Sequence, residues 1–325
     1  MKNLIFLLLI LISTTIFAKE CLLPLPSEDF YLSKPRSLDV DDHFIFIADE
    51  NNNCFFRINK YDHKNILKIG EKGKGPGELL APDFIAVRDS VIYVNNRNNG
   101  NISLFNIDGE YLNSLNIISF GYIIDIDNKH IYSMPSYKTN FNMLIDKYDV
   151  EGNYLESFGE TSEPFKSESD FYKRLGSMEI DDNYLYFSFM FNKYQILKFD
   201  LLSKKASIIN YPQKLKIEKP DTANKSESSG VFIVNSDITV IDNRIYILSV
   251  LDEFYAATSI DVFSKNGNLI EKYKLRDKDL SDEELTSGDN KTYIYFAIDN
   301  DLNFYFIDLV YNASLDKYDL KDLVK

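Results

Sequence analysis

Short runs of alternating apolar and polar residues return six times along this chain. In each copy an apolar–x–apolar triplet precedes an aliphatic and aromatic strand, and residues that favour tight turns mostly separate the two. The triplets span residues 38–40, 85–87, 124–126, 178–180, 238–240 and 296–298. The aromatic strands span residues 44–47, 91–94, 130–133, 184–187, 244–247 and 303–306. The pattern predicts six antiparallel hairpins.

A third strand follows each hairpin and ends in an apolar–x–x–aromatic phrase that is usually closed by Asp, as at Tyr61-Asp62 and Tyr318-Asp319. Turn signals such as Asp108-Gly109 come next, followed by outer strands such as residues 66–69 and 269–273. A repeat of roughly 40–60 residues made of strands is typical of a β-propeller with one blade per copy. We therefore predict an all-β, six-bladed β-propeller with four-stranded antiparallel blades.

The last copy lacks an outer strand, because few residues follow Asp319. An open sheet edge invites aggregation, and residues 29–33 precede the first blade without a partner of their own. We expect this N-terminal segment to close the ring as the outer strand of blade six. The predicted organisation is a signal peptide at 1–18, an N-terminal segment with the closing strand at 19–34, and the propeller at 35–325.

The N-terminus predicts export. Lys2 is followed by an apolar run too short for a comfortable membrane span, and a plausible cleavage region ends at Ala18. We expect a periplasmic or secreted protein with no membrane span after cleavage; an uncleaved anchor is the alternative. Cys21 and Cys54 are the two cysteines. Cys21 is a candidate for lipidation, although Glu20 precedes it, or for a disulfide with Cys54.

The charge balance disfavours two classes of partner. The formal net charge is −14, whereas nucleic acids and anionic membrane surfaces require a basic face. The chain has no tryptophan, which argues against propellers marked by that residue. We expect a monomer whose partners are proteins, peptides or carbohydrates.

The stretch at residues 70–79 carries a resemblance. It reads Gly-Glu-Lys-Gly-Lys-Gly-Pro-Gly-Glu-Leu and is followed by Pro82, the triplet at 85–87 and Asp108-Gly109. These features resemble an NHL-type repeat, in particular the bacterial secreted six-bladed propellers that carry this Gly-Pro-Gly-Glu phrase. The resemblance implies the six-bladed fold and names no activity. The glycines lack the Gly-Lys-Ser/Thr ending of a phosphate-binding loop, so we interpret them as a tight connection between blades.

The binding mouth is expected where loops join the second and third strands of each blade, together with the connections between blades. Its candidate ligand-binding residues are Arg97, Tyr137, Lys138, Lys193, Tyr194, Phe254, Tyr255 and Tyr311. Aromatic rings mixed with Arg and Lys suit peptide, glycan or small-anion recognition.

Three acids mark the innermost strands. Asp39, Asp125 and Glu179 each stand at the centre of an apolar triplet, so by the two-residue period of a strand they share a facing. Clustered carboxylates favour a hard cation such as calcium. A calcium site in the central channel is one reading, and a water-filled channel with solvated acids is the other. No further cofactor is predicted.

Three functions are compatible with these features of the sequence. The first is a non-catalytic binding propeller that recognises a peptide, glycan or partner protein. The alternatives are a metal-dependent lyase or lactonase-type hydrolase and a structural module of an envelope complex. No catalytic residue is predicted, because His43, His63 and His130 fall in turns on the face opposite the mouth.

Overall fold

The computed structural model describes residues 20–21, 31–117, 124–135, 142–160, 175–191, 194–210, 235–250, 259–275, 293–308 and 313–319. These residues form six four-stranded sheets, and every strand pairing is antiparallel. The predicted six-bladed β-propeller is confirmed. One short 3-10 turn, Arg97–Asn99, is the helical element of the described chain.

The strands of the first three blades follow the chain from the inside of each blade outwards. Blade one contains β2 Pro35–Val40, β3 Phe44–Asp49, β4 Cys54–Asn59 and β5 Ile66–Ile69. Blade two contains β6 Pro82–Arg88, β7 Val91–Asn96, β8 Asn101–Asn106 and β9 Tyr111–Leu115. Blade three contains β10 Ile124–Ile126, β11 His130–Ser133, β12 Met143–Asp149 and β13 Tyr154–Glu160.

The remaining blades repeat this order, except that the last one takes its outer strand from the N-terminal segment. Blade four contains β14 Gly176–Asp181, β15 Tyr184–Phe189, β16 Gln195–Asp200 and β17 Ala206–Asn210. Blade five contains β18 Asn235–Ile241, β19 Arg244–Ser249, β20 Ser259–Ser264 and β21 Leu269–Lys274. Blade six contains β22 Tyr293–Ile298, β23 Asn303–Asp308, β24 Ser314–Asp319 and β1 Glu20–Cys21.

The apolar core lies between neighbouring blades. Each blade interface holds one cluster of buried side chains; between blades one and two, for example, Phe46 and Phe55 pack with Ile85 and Phe105. The other five clusters occupy the other five interfaces. Both faces of every sheet are therefore covered, which explains the aromatic-rich second strands. The ring leaves its axis open.

Ring closure by the N-terminal segment is confirmed, but with a different strand from the one expected. Residues Glu20 and Cys21 pair antiparallel with β24, opposite Lys317 and Asp316. Of the expected residues 29–33, Leu32 makes a single bridge to Ala313, while 29 and 30 lie outside the described residues.

The displacement has a physical reason on blade one. The backbone N–H groups of Ser33 and Lys34 donate to the carboxylate of Asp49 at 2.7 and 3.1 Å. The chain is thereby held against blade one just before β2 begins. Leu32 still bridges Ala313 beside β24, but Ser33 and Lys34 do not extend this pairing, and the paired closing strand lies further upstream.

A buried ion pair also links the first and last blades, on the face of the ring opposite Asp49. Lys60 of blade one lies 2.6 Å from Asp299 of blade six, and their side chains are 6% and 2% exposed. Asn300 also donates to Asp42 at 2.9 Å. The seam between the first and last blades therefore carries charged contacts in addition to its apolar cluster.

Cys54 lies in the apolar cluster between blades six and one as a free thiol. Burial raises its pKa to about 12, so the thiol stays protonated and unreactive at neutral pH. The side chain of Cys21 lies outside the described part, and its lipidation stays a prediction. Among the described residues no helix has the length and apolarity needed to span a bilayer.

Candidate functional site

The inner strands of the six blades surround a central channel with a volume of about 520 Å³. We call its two ends the mouth and the base. The mouth carries the loops between second and third strands and the connections between blades. The base carries the hairpins between first and second strands. A cavity of this size falls in the range that binds small ligands in proteins.

Arg88, the last residue of β6, organises the base of the channel. Its Nη1 lies 3.0 Å from Asp39 Oδ2, and its Nη2 lies 2.8 Å from Asp125 Oδ1 and 3.8 Å from Glu179 Oε1. One guanidinium from blade two therefore joins carboxylates from blades one, three and four. The three predicted acids do converge, and an arginine lies among them.

Aspartates of alternate blades also bind the backbone of the next blade, and we call these contacts the inter-blade staples. In each staple a carboxylate on an odd-numbered blade accepts a backbone N–H of the following even-numbered blade. The bonds run from Val87 N to Asp39 Oδ2 at 2.8 Å, from Ile180 N to Asp125 Oδ2 at 2.5 Å, and from Phe296 N to Asp237 Oδ2 at 3.2 Å. The staples give the inner-strand acids a structural role.

The charges at the base are unevenly compensated. Burial raises the pKa of Asp125, although Arg88 opposes the shift. Burial and the nearby charge of Asp125 raise the pKa of Glu179 well above its ordinary value. Burial alone would lower the pKa of Arg88, but Asp125 and Asp39 outweigh it and the pKa is raised. Arg88 is therefore permanently charged, and Glu179 is the acid that most readily holds a proton.

The calcium reading of these acids stays a prediction. Within the described residues no group of three or more His, Cys, Asp or Glu side chains is arranged to hold a metal ion. The guanidinium of Arg88 supplies the positive charge that the clustered carboxylates were expected to need.

Sequence reasoning missed Arg88, although a signal was present. Residues two positions after the centre of each triplet share its facing, and they are Asp41, Arg88, Asp127, Asp181, Ile241 and Asp299. Arg88 is the single cation in a set made mostly of acids. That contrast predicts an arginine reaching across the channel.

A second charged group lies at the mouth between blades one and two. Lys34, Arg36 and Arg97 surround Glu50, and we call these three cations the cationic rim. Glu50 Oε1 lies 3.0 Å from Lys34 Nζ and 2.9 Å from Arg97 Nη2, and Oε2 lies 3.3 Å from Arg36 Nε. Burial opposes the charge of Glu50, but the rim outweighs it and lowers the pKa.

Asp83 lies beneath the rim and is fully buried. Its Oδ1 accepts from Asn95 Nδ2 at 2.7 Å, and its Oδ2 lies 3.7 Å from Arg97 Nε. Burial raises the pKa of Asp83 to about 6 against the opposing charge of Arg97. Arg36 and Asp83 both occupy irregular positions, where the pairing of their inner strand shifts register. Such bulges re-aim side chains, which is why simple alternation did not predict this group.

Half-buried apolar side chains line the channel between the rim and the base. We call this set the apolar collar; it comprises Phe84, Met190, Phe191, Ile294 and Tyr295. Phe84 and Tyr295 lie two residues before Ala86 and Ala297, so they share the channel facing of the inner strands. A criterion based on aromatic residues in loops does not identify these residues of the inner strands.

The described structure places two of the predicted mouth residues. Arg97 belongs to the cationic rim. The hydroxyl of Tyr194 donates to Asp261 and lies 2.7 Å from Ser249 Oγ, which ties its loop to blade five. The other predicted residues, Tyr137, Lys138, Lys193, Phe254, Tyr255 and Tyr311, lie outside the described residues, and their role stays a prediction.

Comparisons with known proteins agree on the fold. A member of the DUF4221 family from Bacteroides vulgatus has a TM-score of 0.56 at 14% identity, with 90% of this chain and 94% of that chain covered. A catalytically inactive virginiamycin B lyase from Staphylococcus aureus, solved with quinupristin, has a TM-score of 0.53 at 14% identity over 90% and 87% of the chains. The nidogen/laminin complex matches with a TM-score of 0.51 at 11% identity over 74% and 80%.

No protein-family model matches the chain, and a search of curated proteins finds no match. The structural likenesses establish a shared propeller fold. A fold of this kind hosts unrelated functions, and the similar structures include both a lyase and a protein complex. The function of this chain has to be argued from its own channel.

The carboxylate of Asp237 should make the stability of the folded protein depend on pH. It accepts from Ser177 Oγ at 2.7 Å and from two backbone N–H groups, and burial raises its pKa to about 6. An Asp in an unfolded chain has a pKa of about 4. The stability that the protonated carboxyl of Asp237 contributes is therefore fully present below about pH 4 and is lost as the pH rises through about 6.

We expect Asp237→Asn to remove this loss, which amounts to about 1–3 kcal/mol between pH 4 and pH 7. Urea unfolding at a series of pH values would measure the slope for each variant. Asp242→Asn, on the exposed hairpin of the same blade, is the control and should leave the slope unchanged. Equal slopes for the parent and Asp237→Asn would contradict the prediction.

Proposed function

We propose that this protein is a non-catalytic binding propeller that takes its ligand into the central channel through the mouth. The observation that carries the proposal is the apolar collar: five half-buried apolar side chains face a cavity of about 520 Å³. Exposed apolar surface grouped inside a concave site is the usual mark of ligand binding. The predicted loop residues, such as Tyr137 and Tyr255, would extend this site outwards.

The absence of a catalytic role is supported by the residues that line the channel. Its described lining contains serines and carboxylates but neither histidine nor cysteine, so a nucleophile has no adjacent base of the usual kind. His43 and His63 lie in turns at the base side, His130 begins β11 at the same side, and His63 Nε2 is engaged with Lys60 O at 2.8 Å. We retain a secreted or periplasmic location and the NHL-type assignment as parts of this proposal.

A fragment screen tests the proposal directly. Ligand-observed NMR with a library of small aromatic and aliphatic fragments would compare the parent with Phe84→Ala/Tyr295→Ala. We expect the parent to bind a subset of the fragments and the double variant to bind them at least tenfold more weakly, because two walls of the collar are removed.

Tyr61→Ala is the matched control. Tyr61 is 74% exposed and contacts the carbonyl of Asp42 on the base side, so its removal should not change fragment binding. If Tyr61→Ala weakens binding as much as the collar variant does, or if no fragment binds the parent, the proposal fails.

A further inference from the structure

We propose that the cationic rim binds the terminal carboxylate of a short peptide whose other residues extend into the channel. The inference rests on the proposed function and names the class of ligand. It is carried by three observations: the exposed cations Lys34 and Arg97 of the rim, the buried carboxylate of Asp83 beneath it, and the opposite charge of the channel base.

Three cations of the rim surround one carboxylate. Glu50 lies 2.9 to 3.3 Å from Lys34, Arg36 and Arg97. Arg97 uses Nη2 for Glu50 and Nε for Asp83. Among the described residues its Nη1 makes no hydrogen bond, so it can donate to a ligand. The side chains of Lys34 and Arg97 are 46% and 30% exposed, so both can reach a ligand at the mouth. This cluster of cations stands out in a chain whose net charge is −14.

The charge of Asp83 depends on its protonation, which determines how much positive charge Arg97 can offer a ligand. The carboxylate is 0% exposed, and its Oδ2 receives no hydrogen bond in the described structure. A buried acceptor without a donor favours the protonated acid. Whenever Asp83 is protonated, Arg97 keeps the charge that Asp83 would otherwise neutralise, and an incoming carboxylate gains that interaction.

The channel base indicates a peptide in preference to other carboxylates. At the base three acids, Asp39, Asp125 and Glu179, share the one guanidinium of Arg88. A ligand that reaches from the rim towards the base meets cations first, then the apolar collar, then acceptors of hydrogen bonds. A peptide matches this order with a carboxylate, apolar side chains and an ammonium or amide N–H end. An acidic sugar can donate hydroxyl groups to the base, but it has no cationic end to pair with these acids.

Equilibrium dialysis tests the inference. An equimolar library of tripeptides with free carboxyl ends and the same library with amidated ends would be dialysed against the mature chain at pH 7. Mass spectrometry would quantify the retained peptides. We expect at least tenfold stronger retention of the free acids, since a charge-assisted pair is lost in the amides. Glucuronate, added as competitor, should displace little of the retained peptide.

Variants of the rim locate the contact. Arg97→Gln and Lys34→Gln should each reduce retention of the free acids at least tenfold while leaving retention of the amides unchanged. Arg97→Lys keeps the charge without the planar fork and should fall between; it also serves if the Gln variant unfolds. Arg244→Gln is the matched control. Arg244 contacts Glu271 at 3.8 Å at the base end of blade five, whereas the rim lies at the mouth of blades one and two.

Each outcome decides between the two proposals. Equal retention of acids and amides would overturn the carboxylate inference and leave channel binding intact. Full displacement by glucuronate would assign the rim to acidic sugars and overturn the peptide assignment. Failure of both libraries while fragments still bind would overturn the inference alone. Failure of the fragments as well would remove the proposed function.

A pH series supplies a readout that a merely structural role would not produce. Lowering the pH from 7 to 5 should strengthen retention of the free acids about threefold to tenfold, because Asp83 becomes protonated while the peptide carboxylate stays ionised. The charged and polar groups that face Asp83 are Asn95, Arg97, Arg36 and Glu50. Asp83→Asn should bind at pH 7 as the parent does at pH 5. A parent without this pH dependence would contradict the role of Asp83.

Discussion

Arg88→Met should lower the free energy of unfolding at pH 7 by about 3–5 kcal/mol, the usual cost of leaving buried charges without a partner. The side chain lies within 4 Å of three carboxylates from three other blades. Without the guanidinium, Asp39, Asp125 and Glu179 repel one another in a poorly solvated channel. Urea unfolding would measure the loss, which should shrink as the pH falls and the buried acids take up protons.

Two further variants separate charge from packing at this position. Arg88→Lys keeps the charge but cannot reach several carboxylates with one planar group, so we expect an intermediate loss. Asp39→Asn/Asp125→Asn/Glu179→Gln in the Arg88→Met background should recover part of the stability, since the repulsion is gone. A single variant Arg88→Met that unfolds like the parent at pH 7 would show that the carboxylates do not depend on the guanidinium.

Lys60→Met should also destabilise the protein by about 3–5 kcal/mol, because it leaves a buried carboxylate unpaired at the seam of the ring. Asp299 is 2% exposed on its side chain and lies 2.6 Å from Lys60. Burial opposes the charge of Asp299, but the hydrogen bonds from Lys60 and Asn303 lower its pKa. That contribution is present above the ordinary pKa of an Asp and is lost as the pH falls through the lowered value.

A double-mutant cycle with Asp299→Asn isolates the pair. The double variant should be more stable than Lys60→Met, because neutral partners need no compensation. The coupling measured by thermal or urea unfolding should exceed about 1 kcal/mol, which is more than exposed pairs provide. A coupling near zero would show that the Lys60–Asp299 pair does not help to hold blades one and six together.

The blade pattern could be predicted from the sequence because it depends on local alternation. Strands such as β3 and β7 bury both faces between neighbouring blades, so their aliphatic and aromatic runs are unmistakable, and the hairpin turns carry Asp, Asn or Gly. Gly109, with φ of 88°, ends such a turn and lies so close to Ile69 of blade one that a side chain would not fit. The local signal and the tertiary contact coincide there.

The closing strand could not be predicted at the right residues. Glu20–Cys21 is two residues long and has no alternation to detect. The contact that displaces it, between Asp49 and the backbone of Ser33 and Lys34, joins residues that no local pattern relates. Sequence reasoning identified the need for closure from the missing outer strand, and the choice of residues depended on a long-range hydrogen bond.

The candidate site likewise contains residues that the sequence predicts and residues that it does not. Asp39, Asp125 and Glu179 could be brought together from strand alternation, and the structure confirms their convergence. Arg36 and Asp83 were missed, because each lies at a bulge of its inner strand that changes the facing of the residues there. Ion pairs between different blades leave no trace in the local pattern.

The cationic rim lies apart from the apolar clusters between blades, whereas the collar lies against them. Lys34, Arg36 and Arg97 belong to none of the six clusters, so the rim can acquire a new ligand preference while the ring stays assembled. Four collar residues pack against the clusters, namely Phe84, Met190, Phe191 and Tyr295, so substitutions there are expected to affect both the channel and the ring. Arg88 has the same double role, because it lines the channel and its guanidinium joins four blades, so we expect its position to tolerate the fewest substitutions.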